Sequence, residues 1–464
     1  MEENSVKKNK KLLLLTVALL TGAMALTACS KNNVGEEKKE DKKVEKAQTI
    51  SIEDLSKNLD NKDYQVVDLR QDDAYLGYKV GGISRGGHIK NAKQFTYTWL
   101  DKLKEADTTL EKLLKDKEID PNKNIVLYSN KNDESNDLAN QMKELNYNNV
   151  FVFNDLAKWA EDKEKPMESA PNYNMIVSPE WVNDLVNGKK PETYVNDKYL
   201  ILEASWGPES DAYKAGHIPG SIHFNTDNVE SEDNQWNLGP VDNMKKKFEE
   251  NGISYDKTVV VYSDDVAAAG RVYLALKWAG VEDVRILNGG MTAWKDAGYE
   301  AEKKNNKPTA VKDFGVKIPN HPEYQIPFPK DILEKQKDPN FRLVSIRSWD
   351  EFIGKTSGYS YIKGAGEPKG AVWGHAGEDN TSMSDYLDVD NTFRSFPEIE
   401  NMWAEWDIKK GNEISFYCGT GWRAAVPWIL TETQGWKDVT VFDGGWYTWE
   451  KDKSLPVQVG DPRK

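Results

Sequence analysis

The sequence is nearly without cysteine: among 464 residues there are two, Cys29 and Cys418. A disulfide framework is therefore not expected, and a chain of this length can bury enough apolar surface without one. Histidine is also scarce, with five in the chain. His217 and His223 are six positions apart, unlike the i, i+4 pair of a helical metal site, so no metal is expected. No Walker-type or dinucleotide fingerprint occurs, and no cofactor is called for. The formal charge of −14 argues against nucleic acid as a partner, because phosphate binding needs concentrated Lys and Arg. Long apolar runs are missing too, and a comfortable membrane span needs about 20 such residues.

The apolar run that does exist sits at the start. Lys7, Lys8, Lys10 and Lys11 form a positive region, Leu12 to Leu20 a short apolar core, and Leu26-Thr27-Ala28-Cys29 its end. Residues 1–29 read as a targeting segment rather than as part of a fold. Leu26 to Cys29 resembles the lipobox of bacterial lipoproteins. That resemblance implies a lipidated Cys29 as first residue of the mature chain, anchored by acyl chains at the outer face of the cytoplasmic membrane. The alternative is an ordinary secretory peptide cleaved near Ala28. Residues 30–48 are almost all charged or polar and read as a flexible tether.

Beyond residue 48 the chain repeats at roughly 120–150 residues, about one domain per repeat. The first unit offers Tyr64 to Arg70, Gly87-His88-Ile89, Asn124 to Ser129 and Val150 to Phe153. The second offers Tyr199 to Leu202, Gly216 to Gly220, Thr258 to Ser263 and Val284 to Gly290. The third offers Phe341 to Arg347, Gly370 to Trp373, Glu413 to Cys418 and Val439 to Gly445. Short β-branched or aromatic runs alternate with helical patterns such as Ala268 to Trp278 and Ala424 to Thr433. That alternation predicts α/β domains, each a mostly parallel sheet flanked by helices on both faces. We place the domains at 49–166, 174–303 and 323–464, with linkers near 165–172 and 303–322.

Cys418 opens the run Cys418-Gly419-Thr420-Gly421-Trp422-Arg423, between a strand-like and a helix-like stretch. A thiolate is the reactive form of cysteine, and an unperturbed thiol titrates near pH 8.5. A helix start places N–H groups and a partial positive charge near such a sulfur. Gly419 and Gly421 let the loop curl so that N–H groups converge, and Arg423 either adds charge or fixes the loop through carboxylate or carbonyl contacts. The alternative is a buried, inert cysteine at a strand end.

These features resemble the rhodanese (thiosulfate sulfurtransferase) superfamily across residues 49–464, most specifically in Tyr417 to Arg423 and in Phe442-Asp443-Gly444-Gly445-Trp446. The second unit resembles the inactive N-terminal half of two-domain rhodaneses, through Gly216 to Gly220 and Ala269-Gly270-Arg271. The third resembles the active half, and the first is a degenerate extra copy. Three such modules resemble a small group of exported bacterial sulfurtransferases. Ser129 and Ser263 stand at the cysteine position of the first two units, and Glu134 stands where Arg423 lies. A serine hydroxyl needs a base to ionise at neutral pH and neither loop supplies a histidine, so catalysis is expected in the third unit alone.

The resemblance implies a Cys418 persulfide, charged by thiosulfate or another sulfane-sulfur donor and discharged to a thiol, cyanide or a protein. Gly419, Thr420, Gly421 and Trp422 would line the substrate site. Arg347 is expected at the pocket entrance, where it would hold the sulfonate of thiosulfate; the alternative is a surface arginine paired with Asp350 or Glu351. Ser345 replaces the family's usual acidic residue two positions earlier. Mercaptopyruvate-using relatives carry a second arginine at a position close to Glu351, and a carboxylate there disfavours a carboxylate substrate. Trp373, Trp428 and Trp446 are expected mainly as core. Four residues separate Cys418 from Arg423, a shorter loop than the Cys-x5-Arg cradle of cysteine phosphatases. A phosphatase or arsenate reductase is thus the rival enzyme reading, and a non-catalytic persulfide-binding lipoprotein is the other.

Overall fold

The computed structural model describes residues 46–464; the leader, most of the tether and Cys29 lie outside the described residues. No described helix is long and apolar enough to cross a membrane. Three five-stranded parallel sheets succeed one another along the chain. Numbering the five strands of each unit in chain order, the first and third sheets have the spatial order 1-5-4-2-3, and the second has the same order read from its other edge. In the third unit the strands are Gln325–Ile326, Phe341–Ser345, Val372–Trp373, Glu413–Tyr417 and Val439–Phe442. Strand four pairs in parallel with strand two, Ser345 opposite Tyr417, and with strand five, Phe416 opposite Val441. The chain reverses its direction of travel between strands two and four, and the carboxyl ends of strands at such a switch point form a crevice. Cys418 immediately follows strand four.

Successive strand residues face opposite sides of the sheet. Val344, Phe416 and Val441 enter one core and Leu343, Tyr417 and Phe442 the other. Helices Phe396–Ala404 and Trp422–Thr433 cover the first face, and Pro329–Lys335 and Gly445–Lys451 the second. The first core does not stop at the third unit. It runs on through Phe224, Val259, Tyr273 and Leu276 of the second, so two units share one hydrophobic interior. Helix Val266–Ala279 meets helix Trp422–Thr433 at Gly270, where a Cβ would touch Val426 at 3.4 Å.

The first unit begins inside the segment expected as tether. Ala47 is buried, and Gln48–Thr49 pairs in parallel with Phe151 and Val152. The stretches expected as linkers are packed as well. Met167–Glu168 pairs antiparallel with His88–Ile89, and Phe314 is fully buried against Phe248. The first unit is fastened to the third through Lys117, whose buried ammonium lies 2.5 Å from Asp388, 3.0 Å from Glu398 and over the Trp99 ring.

Candidate active site

Tyr417 ends its strand, and the chain turns through Cys418 to Gly421 into helix Trp422–Thr433. Gly421 caps that helix at φ +86°, and a Cβ there would fall 2.5 Å from Asp443 Oδ1 and 2.8 Å from Arg271 Nη1. Only glycine satisfies both the conformation and the space. The loop carbonyls are tied outward. Trp446 N–H donates to Cys418 O at 2.9 Å and Tyr447 N–H to Gly419 O at 3.1 Å, both from the first turn of helix Gly445–Lys451. In a trans peptide the next N–H points opposite to its carbonyl, so Gly419 and Thr420 N–H turn into the loop. Gly445 at φ +51° permits this approach, since a Cβ would lie 2.5 Å from Gly419 O.

A tyrosine sits over this cradle. Tyr359 Oη accepts from Gly419 N–H at 3.3 Å and from Arg423 Nη2 at 2.6 Å, and its ring covers Gly419. Burial holds its phenol proton well above the usual range. The Tyr361 ring lies 5.3 Å from that of Tyr359, and partial burial pushes its phenol up to about 12. Both hydroxyls are protonated at neutral pH and can donate to an anion.

Arg423 is buried and held on two sides. Nη1 and Nη2 reach the two carboxylate oxygens of Glu351 at 3.0 and 2.9 Å, and Nη1 also reaches Asp379 O at 3.2 Å. Burial would raise the Glu351 carboxyl, but the Arg423 and Arg347 guanidiniums and the Ser348 N–H hold it below the ordinary range. Arg423 thus fixes the loop through a carboxylate. Its Nε–H has no protein partner among the described residues.

Two sequence expectations are corrected. Arg347 is not at an entrance: it is fully buried, bound to Glu367 at 2.7 Å, Glu351 at 3.3 Å, Gly366 O at 2.8 Å and Ser357 O at 3.0 Å. Buried and with four of its five N–H groups engaged, it is a structural residue in this fold and not a sulfonate clamp at an entrance. Glu351 turns inward to Arg423 and so gives no grounds for excluding a carboxylate substrate. The acid absent at Ser345 is supplied from another strand. Glu367 accepts from Ser345, Arg347 and Tyr417, and burial pushes it up to about 7. In the first unit Asp68 binds Arg70 and Tyr128 directly.

Trp428 and Trp446 are core, and Trp373 packs between Trp349 and Trp406 with its Nε1–H on Arg347 O. Trp422 reaches across to the second unit, donating to Glu230 Oε1 at 2.6 Å. Glu230, Arg271 and Asp443 form a buried set between the units, which the sequence did not reveal. In the first unit Ser129 Oγ donates to Glu134, and in the second Ser263 Oγ accepts from Asp265 N–H. A cavity of about 440 Å³ lies at the junction of the units beside Asp72, Ser178 and Asn288, but Cys418 does not line it.

A cysteine at a switch point, in a loop whose N–H groups face inward beside a fixed arginine, is an arrangement suited to a thiolate nucleophile. The rhodanese-like domain profile matches residues 51–162, 178–297 and 328–452, and the chain belongs to the rhodanese family. The thiosulfate sulfurtransferase YnjE of Escherichia coli is 37% identical over 406 residues, covering 87% of this chain and 91% of that one. The sulfur carrier protein TtuD of Thermus thermophilus is 26% identical, covering 62% and 97%. The solved anaerobic ergothioneine biosynthesis enzyme of Chlorobium limicola, in complex with trimethyl histidine, superposes with a TM-score of 0.85 at 36% identity, covering 90% and 100%. A persulfide form of EanB with ergothioneine superposes with a TM-score of 0.86 at 36% identity, covering 89% and 100%. This protein is accordingly a sulfurtransferase enzyme built of three rhodanese-like domains.

Proposed function

We propose that this protein, anchored through a lipidated Cys29 at the outer face of the cytoplasmic membrane, takes the outer sulfur of thiosulfate onto Cys418. The Cys418 thiolate attacks that sulfur, the thiosulfate S–S bond breaks, and sulfite leaves with the electron pair. A thiol, cyanide or protein acceptor then attacks the outer persulfide sulfur and returns the electron pair to Cys418. Ping-pong kinetics arise from the covalent intermediate. One observation carries the reading: Gly419 N–H and Arg423 Nη2 converge on a single oxygen, that of Tyr359. An anionic sulfonate or persulfide would accept the same two hydrogen bonds once Tyr359 swings aside. The short loop, with four residues between Cys418 and Arg423, supports sulfur over phosphate. Thiocyanate production from thiosulfate and cyanide tests the activity; none from the folded native protein would refute it. Labelled fatty acid entering the native protein but not Cys29→Ala tests the anchor.

A second acceptor reading is supported by the likeness to structures holding trimethyl histidine and ergothioneine, together with two neighbouring phenols, Tyr359 and Tyr361, the first of them over the Cys418 loop. Incubating sulfur-loaded protein with trimethyl histidine and looking for ergothioneine by mass separates it from transfer to thiols.

A further inference from the structure

Gln235 and Trp236, in the second unit, take φ +54° and +60° in succession. Left-handed backbone at a bulky aromatic residue is disfavoured and persists only where its surroundings hold it. Here they do. Trp236 N–H donates to Ser231 O at 2.9 Å, and Trp236 O accepts from Arg271 Nη2 at 2.8 Å. Arg271 is clamped in turn by Glu230 at 2.7 Å and by Asp443 of the catalytic unit, and Leu238 N–H donates to Asp443 at 2.6 Å. Glycine would make this turn without strain, so the turn itself does not need a tryptophan.

The ring that this backbone projects crosses to the third unit. Half-buried, it packs on the same cluster as Tyr359, with its centroid 6.4 Å from that of Tyr361. Tyr361 is 48% exposed, and its ring lies 5.3 Å from that of Tyr359, which covers Gly419, and 6.2 Å from that of Tyr447. Trp236 from the second unit and Tyr361 and Tyr359 from the third thus form a row of neighbouring rings that ends over Gly419, the residue after Cys418. On the reading above the donor sits at Gly419 and Arg423, and an acceptor would reach the outer persulfide sulfur past the exposed Tyr361 ring.

We propose that Trp236 is a specificity-determining residue for the acceptor half of the reaction, completing an aromatic wall that favours acceptors with a flat ring over small anions. This rests on the persulfide reading above. The acceptor thiolate attacks the outer sulfur, the persulfide S–S bond breaks, and its electron pair returns to Cys418; no further reactant is involved. Offset or edge-on ring contacts supply the preference.

Trp236→Ala and Trp236→Phe are compared with the native protein in separated half-reactions, using thiosulfate as donor and either cyanide or thiophenol as acceptor. Persulfide formation and discharge to cyanide stay within about twofold in Trp236→Ala, while KM for thiophenol rises about fivefold to tenfold and Trp236→Phe recovers part of it. Equal losses with both acceptors, or no change with either, overturn the proposal. A second arm needs no sulfur transfer: benzenesulfonate should protect Cys418 from iodoacetamide more weakly in Trp236→Ala than in native protein. Equal protection overturns the assignment of Trp236 even where thiosulfate fails to load the cysteine, a failure that would count instead against the persulfide reading.

Discussion

Arg423 gives both of its terminal nitrogens to one carboxylate, that of Glu351, at 3.0 and 2.9 Å. Such a two-point pair fixes the plane of the guanidinium. It also compensates the charge, so Arg423 stands in the loop as an oriented donor and not as a bare cation. Glu351 is itself held by the capping box of Ser348 at the start of helix Trp349–Phe352. The geometry of the catalytic loop therefore depends on a short helix about 70 residues earlier in the chain.

Glu351→Gln should slow persulfide formation by about tenfold or more, because it leaves a buried guanidinium without its carboxylate. The pair also has a pH signature. The folded Glu351 carboxyl titrates below its unfolded value of about 4.3, so its stabilisation is complete above that pH. It is lost as the pH falls through the lower folded value. Melting curves from about pH 6 to pH 3 should show native protein losing an acid-sensitive increment that Glu351→Gln lacks. Parallel curves would contradict this.

Arg347→Ala should act on stability and not on thiosulfate binding. Removing one partner of the buried Arg347–Glu367 pair costs about 3–5 kcal/mol. The melting temperature should fall, and KM for thiosulfate in the remaining folded protein should stay unchanged. A raised KM with intact stability would restore Arg347 to the pocket.

That the chain holds three α/β units was legible because buried parallel strands are short, nearly continuous apolar runs, as in Thr258 to Tyr262. The Cys418 loop was legible because glycines and an arginine crowd one strand end. The partners that shape it were not. Glu367 replaces a missing acid from 22 residues beyond Ser345, and spacing gives no clue to such an exchange. Tyr359 lies in a segment punctuated by Gly354, Gly358, Gly364 and Gly366, with no period to show where its ring goes. Arg347 read as a binding residue because burial of a charge is decided by neighbours distant in sequence.

Separating the second unit from the third should fail. Residues 323–464 alone would expose the shared core and lose Arg271 and Glu230 from the loop, so they should aggregate or show no turnover. Residues 174–464 should retain turnover of small donors. Full activity in the shorter piece would show that the shared interior is dispensable.

Cys418→Ser should abolish thiosulfate-to-cyanide transfer with little change in melting temperature, since an oxygen fits where the buried sulfur sits. Thiocyanate formation at a rate near that of the native protein would show that the reaction lies elsewhere.

The most direct test is the mass of the purified protein after exposure to thiosulfate, combined with peptide mapping. The persulfide mechanism predicts a gain of one sulfur atom on the peptide containing Cys418, removed on adding cyanide and absent from Cys418→Ser. An unchanged mass, or a sulfur atom found on any other residue, would contradict it.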